Sequence, residues 1–377
     1  MIRIPSHIIS LQPYVAGKPI SELARERQLS RIVKLASNEN PHGPSPKAIE
    51  AAIQTMAENH RYVDPGSHDL VEKIARHCGI ATNQIVCGAG VDSLLGYIID
   101  AFTERGDEVL TSEGTFIGIY VNTRKRDRAI KTVPLRNYHF DLDALASNIG
   151  ERTRIVYLAN PNNPTGTIFS CSEFEAFMRS VPSEVLVILD EAYFSYAKSK
   201  AGYPNGLTFT YENLIVTRTF SKDYGLAGFR IGFAVASPDL IRELYKVKLP
   251  FEPSYPAQQA AIASLDDHEF LKMTLQVNER NLQRMSHRFT ELGVHQVPSS
   301  ANFILLTLPT RETAMRFYEG CLAQGLIVRP VGSFGIPNGI RINTGTDDET
   351  AFALQVIERV VTSLSIDDKQ HAATLRR

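Results

Sequence analysis

Lys222 carries the most chemistry in this chain. It stands in the run Thr219-Phe220-Ser221-Lys222-Asp223-Tyr224-Gly225-Leu226-Ala227-Gly228-Phe229-Arg230, directly after a serine and eight positions before an arginine. A lysine amine can condense with an aldehyde to a Schiff base. A phosphorylated aldehyde cofactor also needs an anion site beside that bond and an acidic partner for its ring nitrogen. Ser221 and Arg230 can supply much of the anion site, and Asp190 the acid.

Asp190 opens Asp190-Glu191-Ala192-Tyr193 after the apolar run Val185–Leu189, at the C-terminal end of an expected buried strand. A carboxylate there can pair with a protonated ring nitrogen and keep the ring cationic, ready to take the electrons of a carbanion at a substrate's α-carbon. Tyr193 can bond a ring hydroxyl. The structural alternative is an Asp that caps the following turn. Asn160-Pro161-Asn162-Asn163-Pro164-Thr165-Gly166 follows the strand Arg154–Leu158. Turn chemistry alone accounts for each of these residues, yet as a rigid loop they would offer the Asn163 amide to a ring oxygen.

Cys87-Gly88-Ala89-Gly90-Val91-Asp92-Ser93 is a glycine-rich turn that opens a helix, where the backbone N–H groups of Val91 and Asp92 favour a phosphate. A plain strand-to-helix connection reads the same way. Phe116, in Gly114-Thr115-Phe116, is a candidate to stack on a cofactor ring or simply to fill the core. Arg329 and Arg341, in Ile327-Val328-Arg329-Pro330 and Ile340-Arg341-Ile342-Asn343, fall at expected strand ends. An arginine fork grips a carboxylate or a phosphate, although surface ion pairs use the same residue.

The elements that must hold these residues alternate short β-branched runs with amphipathic stretches, the pattern of βα units in a mostly parallel sheet. Strands are expected near Gln84–Cys87, Glu108–Thr111, Ala129–Val133, Arg154–Leu158, Val185–Leu189, Leu214–Thr217 and Ile231–Ala236, with helices such as Val91–Phe102 and Cys171–Ser180 between them. Ligands of such sheets gather beyond the carboxyl ends of the strands, where the motifs above fall. Helical patterns at Ala257–Leu265 and Glu269–Leu292 lead to a second unit. There the strands Ala301–Leu306, Gly325–Val328 and Gly339–Ile342 alternate with helices Arg311–Ala323 and Asp347–Leu364, a small α+β domain. Asp367–Arg377 is polar and expected to fray. Pro5, Pro13 and Pro19 break the first forty residues, in which only Ile20–Leu29 reads as helical.

With 377 residues, 43% of them hydrophobic and 21% charged, the chain can bury a large core and reads as an ordinary globular protein of about two domains. Its net charge of -1 steers it towards neither nucleic acid nor an anionic membrane. Cys78, Cys87, Cys171 and Cys321 are scattered, without a CxxC pair, and the ten histidines show no ligand spacing. Buried structural thiols, no metal and a reducing compartment are expected. Met1-Ile2-Arg3-Ile4-Pro5-Ser6-His7 lacks the apolar core of a signal peptide, and no stretch approaches a membrane span, so a cytoplasmic location is expected.

The order of these motifs adds what no single motif carries. Glycine-rich turn, aromatic, Asn-Pro-Thr-Gly, Asp-x-x-Tyr, Ser-Lys with Arg eight later, and two late arginines together resemble the fold-type-I aminotransferases that use pyridoxal 5'-phosphate. Within them the chain is most similar to the histidinol-phosphate aminotransferase group. The resemblance runs from about Ile4 to Leu364 and includes His7-Ile8-Ile9-Ser10-Leu11-Gln12-Pro13-Tyr14, Leu35-Ala36-Ser37-Asn38-Glu39-Asn40-Pro41 and Ser299-Ser300-Ala301-Asn302-Phe303.

This resemblance implies an α/β fold, with a large domain built on a mostly parallel seven-stranded sheet between helices and a smaller α+β domain. The boundaries would be an arm at 1–40 packed on the small domain or a partner subunit, a cofactor domain at 41–255, and a linking helix with the small domain at 256–377. Lys222 would be the Schiff-base lysine and proton shuttle, Asp190 the ring-nitrogen partner, and Asn163 and Tyr193 the ring-oxygen contacts. Ser221, Arg230 and the Val91-Asp92 backbone would bind the phosphate, with Phe116 stacked on the ring. Tyr62, in Arg61-Tyr62-Val63-Asp64-Pro65, would reach the phosphate of a partner subunit's cofactor, which implies a homodimer. Tyr14, Asn38, Arg329 and Arg341 would line the substrate site for an amino donor and a 2-oxo acid acceptor, in this family usually 2-oxoglutarate.

Three segments depart from the group's usual pattern. Gly90-Val91-Asp92-Ser93 stands for Gly-Ser-Asp-Glu, Gly114-Thr115-Phe116 for Pro-Thr followed by Phe or Tyr, and Pro250-Phe251-Glu252-Pro253-Ser254 for a Pro-Phe-Asn-Val segment. An aromatic or specialised-pathway aminotransferase, and a decarboxylase or oxidase on the same fold, therefore stay open at the level of sequence. A non-catalytic cofactor-binding regulator would carry a DNA-binding extension, and the arm holds no basic helix-turn-helix pattern.

Overall fold

The computed structural model describes residues 2–11 and 17–374, and in the last helix side chains as far as residue 364. Tyr14 lies outside the described residues. The strands are β1 (Val33–Lys34), β2 (Ile85–Gly88), β3 (Glu108–Ser112), β4 (Ala129–Val133), β5 (Thr153–Ala159), β6 (Leu186–Asp190), β7 (Leu214–Thr219) and β8 (Gly232–Val235). They continue with β9 (Gln296–Val297), β10 (Phe303–Thr307), β11 (Leu326–Ile327), β12 (Arg329–Pro330) and β13 (Gly339–Asn343).

Strands β2 to β8 form one seven-stranded sheet in the order β2-β8-β7-β6-β5-β3-β4. Only β8 runs against its neighbours, pairing antiparallel with both β2 and β7. The others pair in parallel. The apolar runs of β5 and β6 are buried along their length, as a strand covered on both faces requires. Period-two alternation divides the covering helices between the faces. Val86 and Ala234 join the core under helices Val91–Phe102, Cys171–Ser180 and Pro238–Val247. Ile85, Cys87, Phe233 and Val235 join the core under Pro46–Gln54, His68–Cys78 and Tyr255–Leu265. Every expected strand of this sheet is present, and the ends differ by a residue or two.

The smaller unit is a four-stranded antiparallel sheet, β12-β13-β10-β9. Ile304, Leu306, Ile340 and Ile342 bury one face against Met285 and Phe289 of the helix His268–Glu291, Phe317 of Arg311–Ala323 and Ile357 of the last helix. Asp267 caps the long helix by accepting from the Phe270 N–H. Gly325–Val328 does not form one strand of this sheet as expected. Leu326 and Ile327 pair instead in parallel with Val33 and Lys34. Gly325, at φ +84°, lets the first chain segment approach so closely that a Cβ there would lie 2.2 Å from the Arg31 carbonyl oxygen. The helix expected at Ile20–Leu29 stops at Glu26, and the last helix, Asp347–Thr374, continues past Leu364 into the segment expected to fray. No helix among the described residues is long and apolar enough to cross a membrane.

Candidate active site

The carboxyl ends of β5, β6 and β7 open into a cavity of about 260 Å³. Into it project Val91 and Asp92 from the turn after β2, Phe116, Asn163 from the loop after β5, Asp190 and Tyr193 from the end of β6, Ser221 and Lys222 after β7, and Arg230 before β8. The sheet thus brings together residues spread over 140 positions of sequence.

Asp190 is 4% exposed at the end of β6. One carboxylate oxygen accepts from the Tyr157 hydroxyl at 2.7 Å and the other from the Ala192 N–H at 3.0 Å. Burial pushes its carboxyl above the ordinary range, against the pull of those two donors and of Lys222. A buried carboxylate of this kind is suited to pairing with a cation.

Lys222 is half-buried, with its ammonium nitrogen 5.7 Å from the centre of the Tyr193 ring. Burial, then Arg341 and Arg230, lower its pKa from 10.5 to about 8, while Glu39 and Asp190 oppose the shift. A substantial neutral fraction near neutrality makes it a usable nucleophile and base.

The cavity's anion pole is built from Ser221, Arg230 and the first turn of the twelve-residue helix Val91–Phe102. Gly90, at φ +87°, starts that helix, and a Cβ on it would sit 2.7 Å from an Arg230 guanidinium nitrogen. The positive φ favours glycine at this position, and its missing Cβ leaves room for the guanidinium beside the turn. Arg230 itself holds a left-handed backbone, φ +55°. Such strain in a non-glycine residue is sustained where the surroundings fix it. The donor set fits a phosphorylated aldehyde cofactor: amine, buried carboxylate and anion pole surround one cavity.

Asn163 is tied to the small sheet. Its Oδ1 accepts from Arg341, which also donates to the Ala36 carbonyl at 2.8 Å, so the Asn163 amide N–H₂ remains the group for a ring oxygen. The Tyr193 hydroxyl accepts from Asn38 Nδ2 at 2.7 Å. Asn38 has a left-handed backbone, φ +54°, and its Oδ1 is buried without a hydrogen-bond partner among the described residues. Arg329 lies directly opposite Arg341 across β12 and β13, and both are buried.

Tyr62 is apart from this cavity. It is 84% exposed and stacks on Phe251 with ring centres 4.4 Å apart.

Ser37, Glu39, Tyr157 and Thr219 also line the cavity and were not among the residues singled out from sequence. Glu39 accepts from Lys34 Nζ at 3.0 Å. Tyr157 carried one readable signal, a phenol inside an otherwise aliphatic buried strand, which must find a polar partner. Two of the departures have local explanations. Gly114 stands at φ +71°, a backbone closed to proline, and a Cβ there would meet Leu135 at 2.8 Å. Glu252 accepts from the Tyr97 hydroxyl, and its carbonyl accepts from Lys248 Nζ at 2.6 Å. Cys87 is fully interior, with its thiol pushed up to about 12 by burial. All four cysteines are free, and no group of three or more His, Cys, Asp or Glu among the described residues is arranged to hold a metal.

Known proteins share both sequence and fold with this chain. Residues 30–357 match the family described as aminotransferase class I and II. The histidinol-phosphate aminotransferase 1 of Nitrosococcus oceani is 40% identical over 353 residues, covering 93% of this chain and 95% of that protein. The crystal structure of the histidinol-phosphate aminotransferase from Sinorhizobium meliloti, in complex with pyridoxal-5'-phosphate, superposes with a TM-score of 0.90 at 31% identity, over 97% of this chain and 99% of that one. The aspartate aminotransferase of Thermus thermophilus shares the fold at a TM-score of 0.82 and 20% identity, over 96% of this chain and 100% of that one. The match over residues 30–357, together with 40% identity across nearly the whole length of both chains, places this protein in the class I and II aminotransferase family, most similar to its histidinol-phosphate aminotransferases.

Proposed function

We propose that this protein transfers an amino group from histidinol phosphate to 2-oxoglutarate, with pyridoxal 5'-phosphate as its cofactor. The observation that carries the reading is the Lys222 amine, depressed to about 8 and set in one cavity with buried Asp190 and the Arg230 anion pole. When bound, the cofactor supplies an aldehyde for covalent capture of amines and a cationic ring that stores the electron pair left when a substrate's α-proton departs.

Ser221, Arg230 and the N–H groups at Val91 and Asp92 would hold the phosphate, and Phe116 would cover the ring. Asp190 would hold the proton on the ring nitrogen, while the Asn163 amide and the Tyr193 hydroxyl would contact the ring oxygen. Lys222 Nζ would take the proton from the substrate's α-carbon and later return it, acting as the proton carrier of the transfer. Its neutral form is the base, which is why a pKa of about 8 suits the task.

Asn38 orients the Tyr193 hydroxyl. Arg329 and Arg341 grip the phosphate of histidinol phosphate in one half-reaction and a carboxylate of the 2-oxo acid in the other, since a guanidinium fork fits both anions. Tyr14 completes the substrate side.

The exposed Tyr62 serves the neighbouring active site in a homodimer. In this reading residues 1–40 form the arm, 41–255 the cofactor domain and 256–377 the linking helix and small domain, in a cytoplasmic enzyme.

The test is to mix cofactor-loaded protein with single donors, namely histidinol phosphate, glutamate, phenylalanine and tyrosine, and to follow the cofactor's absorption. Fast conversion by histidinol phosphate and glutamate is expected. Preference for the aromatic donors would replace the substrate assignment, and no conversion by any of them would overturn it.

A further inference from the structure

A second cavity, of about 170 Å³, lies behind the first, and Ala192 and Thr219 line both. Its polar floor contains two buried acids. Glu191, 1% exposed, is neutralised: Arg218 donates to its Oε2 at 2.7 and 2.9 Å and the Gly206 N–H to its Oε1 at 2.7 Å. Arg218 is further fixed 3.5 Å from the centre of the Phe194 ring.

Asp223 is different. It is 4% exposed and lines the cavity with Ser195; the Ser195 hydroxyl and neighbouring backbone N–H groups favour its charged form, yet its Oδ2 has no hydrogen-bond partner among the described residues. A buried carboxylate oxygen left in this condition is costly and is relieved by an N–H donor that carries positive charge. Lys198 also lines the cavity and enters no ion pair among the described residues, although it lies near enough to favour the Asp223 carboxylate. His77 and His268 complete its titratable lining with Cys78 and Tyr224. Once the Glu191–Arg218 pair cancels, one carboxylate and one ammonium remain, unpaired with each other. Ile74, Phe233 and Leu271 supply apolar walls.

We propose that this second cavity binds a small zwitterion of the α-amino acid class, whose ammonium donates to Asp223 and whose carboxylate meets Lys198. The site is independent of the transamination reading. None of its charged residues was assigned a part in that reaction.

The probe is N,N-dimethylglycine, a zwitterion with one ammonium N–H whose tertiary nitrogen cannot condense with an aldehyde in the active site. Titration calorimetry on the cofactor-loaded protein should show saturable binding, weakened about tenfold or more in Asp223→Asn and severalfold in Lys198→Ala. Trimethylglycine, which keeps both charges but has no N–H, should bind about tenfold more weakly than the probe. Absence of saturable binding overturns the proposal, and so does equal affinity for trimethylglycine. Unchanged affinity in Lys198→Ala would place the ligand elsewhere and also overturns it, even if Asp223→Asn does not fold.

Discussion

Arg341 donates to the Oδ1 of Asn163, joining the small antiparallel sheet to the loop that borders the cofactor cavity. One side chain thus fixes the Asn163 amide at the cavity's edge and presents positive charge to Lys222, whose pKa it helps to lower. Arg341→Ala removes the donor for Asn163 and for the Ala36 carbonyl together. Hydrogen bonds to charged groups contribute roughly 1.5–3 kcal/mol, so kcat/KM should fall about tenfold to a hundredfold or more, with a rise in KM for both substrates. Steady-state kinetics with each substrate varied checks this.

Lys222→Ala should abolish covalent cofactor capture and cut turnover by at least about a hundredfold, the scale of a lost proton-transfer group. Absorption of the purified variant and a single-turnover assay read the two effects separately. Turnover like that of the native protein would remove the central assignment.

In the cofactor-free protein, the rate at which added pyridoxal phosphate is captured should rise with pH around a midpoint near 8 rather than 10.5. The same shift has a consequence for stability. The folded pKa is depressed, so between about 8 and 10.5 the unfolded chain holds the proton that the folded chain has lost. The Lys222 contribution to stability therefore rises with pH across that window, and below about 8 the cost of burying the charge is felt in full. Stopped-flow capture rates and denaturation across this range measure both.

Tyr157→Phe leaves one Asp190 oxygen without its hydroxyl donor. The change should lower stability by about 1–3 kcal/mol and push the Asp190 carboxyl further up, so that less of it is charged near neutrality. Asp190→Asn should cost far more activity, and a double-mutant cycle between the two should be strongly non-additive.

Gly225→Ala places a Cβ 2.0 Å from the Gly43 carbonyl oxygen at a backbone of φ +72°. A loss of roughly 2–4 kcal/mol is expected from the clash and the positive φ together, measurable by urea denaturation.

The residues that the fold gathers in the first cavity could be singled out in the sequence because each sits in a local pattern. Asp190 closes an apolar run, Lys222 follows a serine with Arg230 eight positions on, and Val91 and Asp92 follow a glycine turn. In the seven-stranded sheet, all but the edge strand β4, whose residues are mostly part-exposed, were legible because burial on both faces writes itself as continuous apolar runs rich in β-branched residues. Tertiary structure decided what depends on distant partners. Tyr157 meets Asp190 from 33 positions away, and Arg341 meets Asn163 from 178. Gly325 yields a strand pairing with the arm only because the Arg31 backbone packs against it. Asp223, beside the lysine in sequence, faces the second cavity, because successive residues of an extended or turning segment point to different sides. Local sequence fixes conformation and residue type, whereas pairing over such separations follows from how the packed helices and the two sheets close on one another.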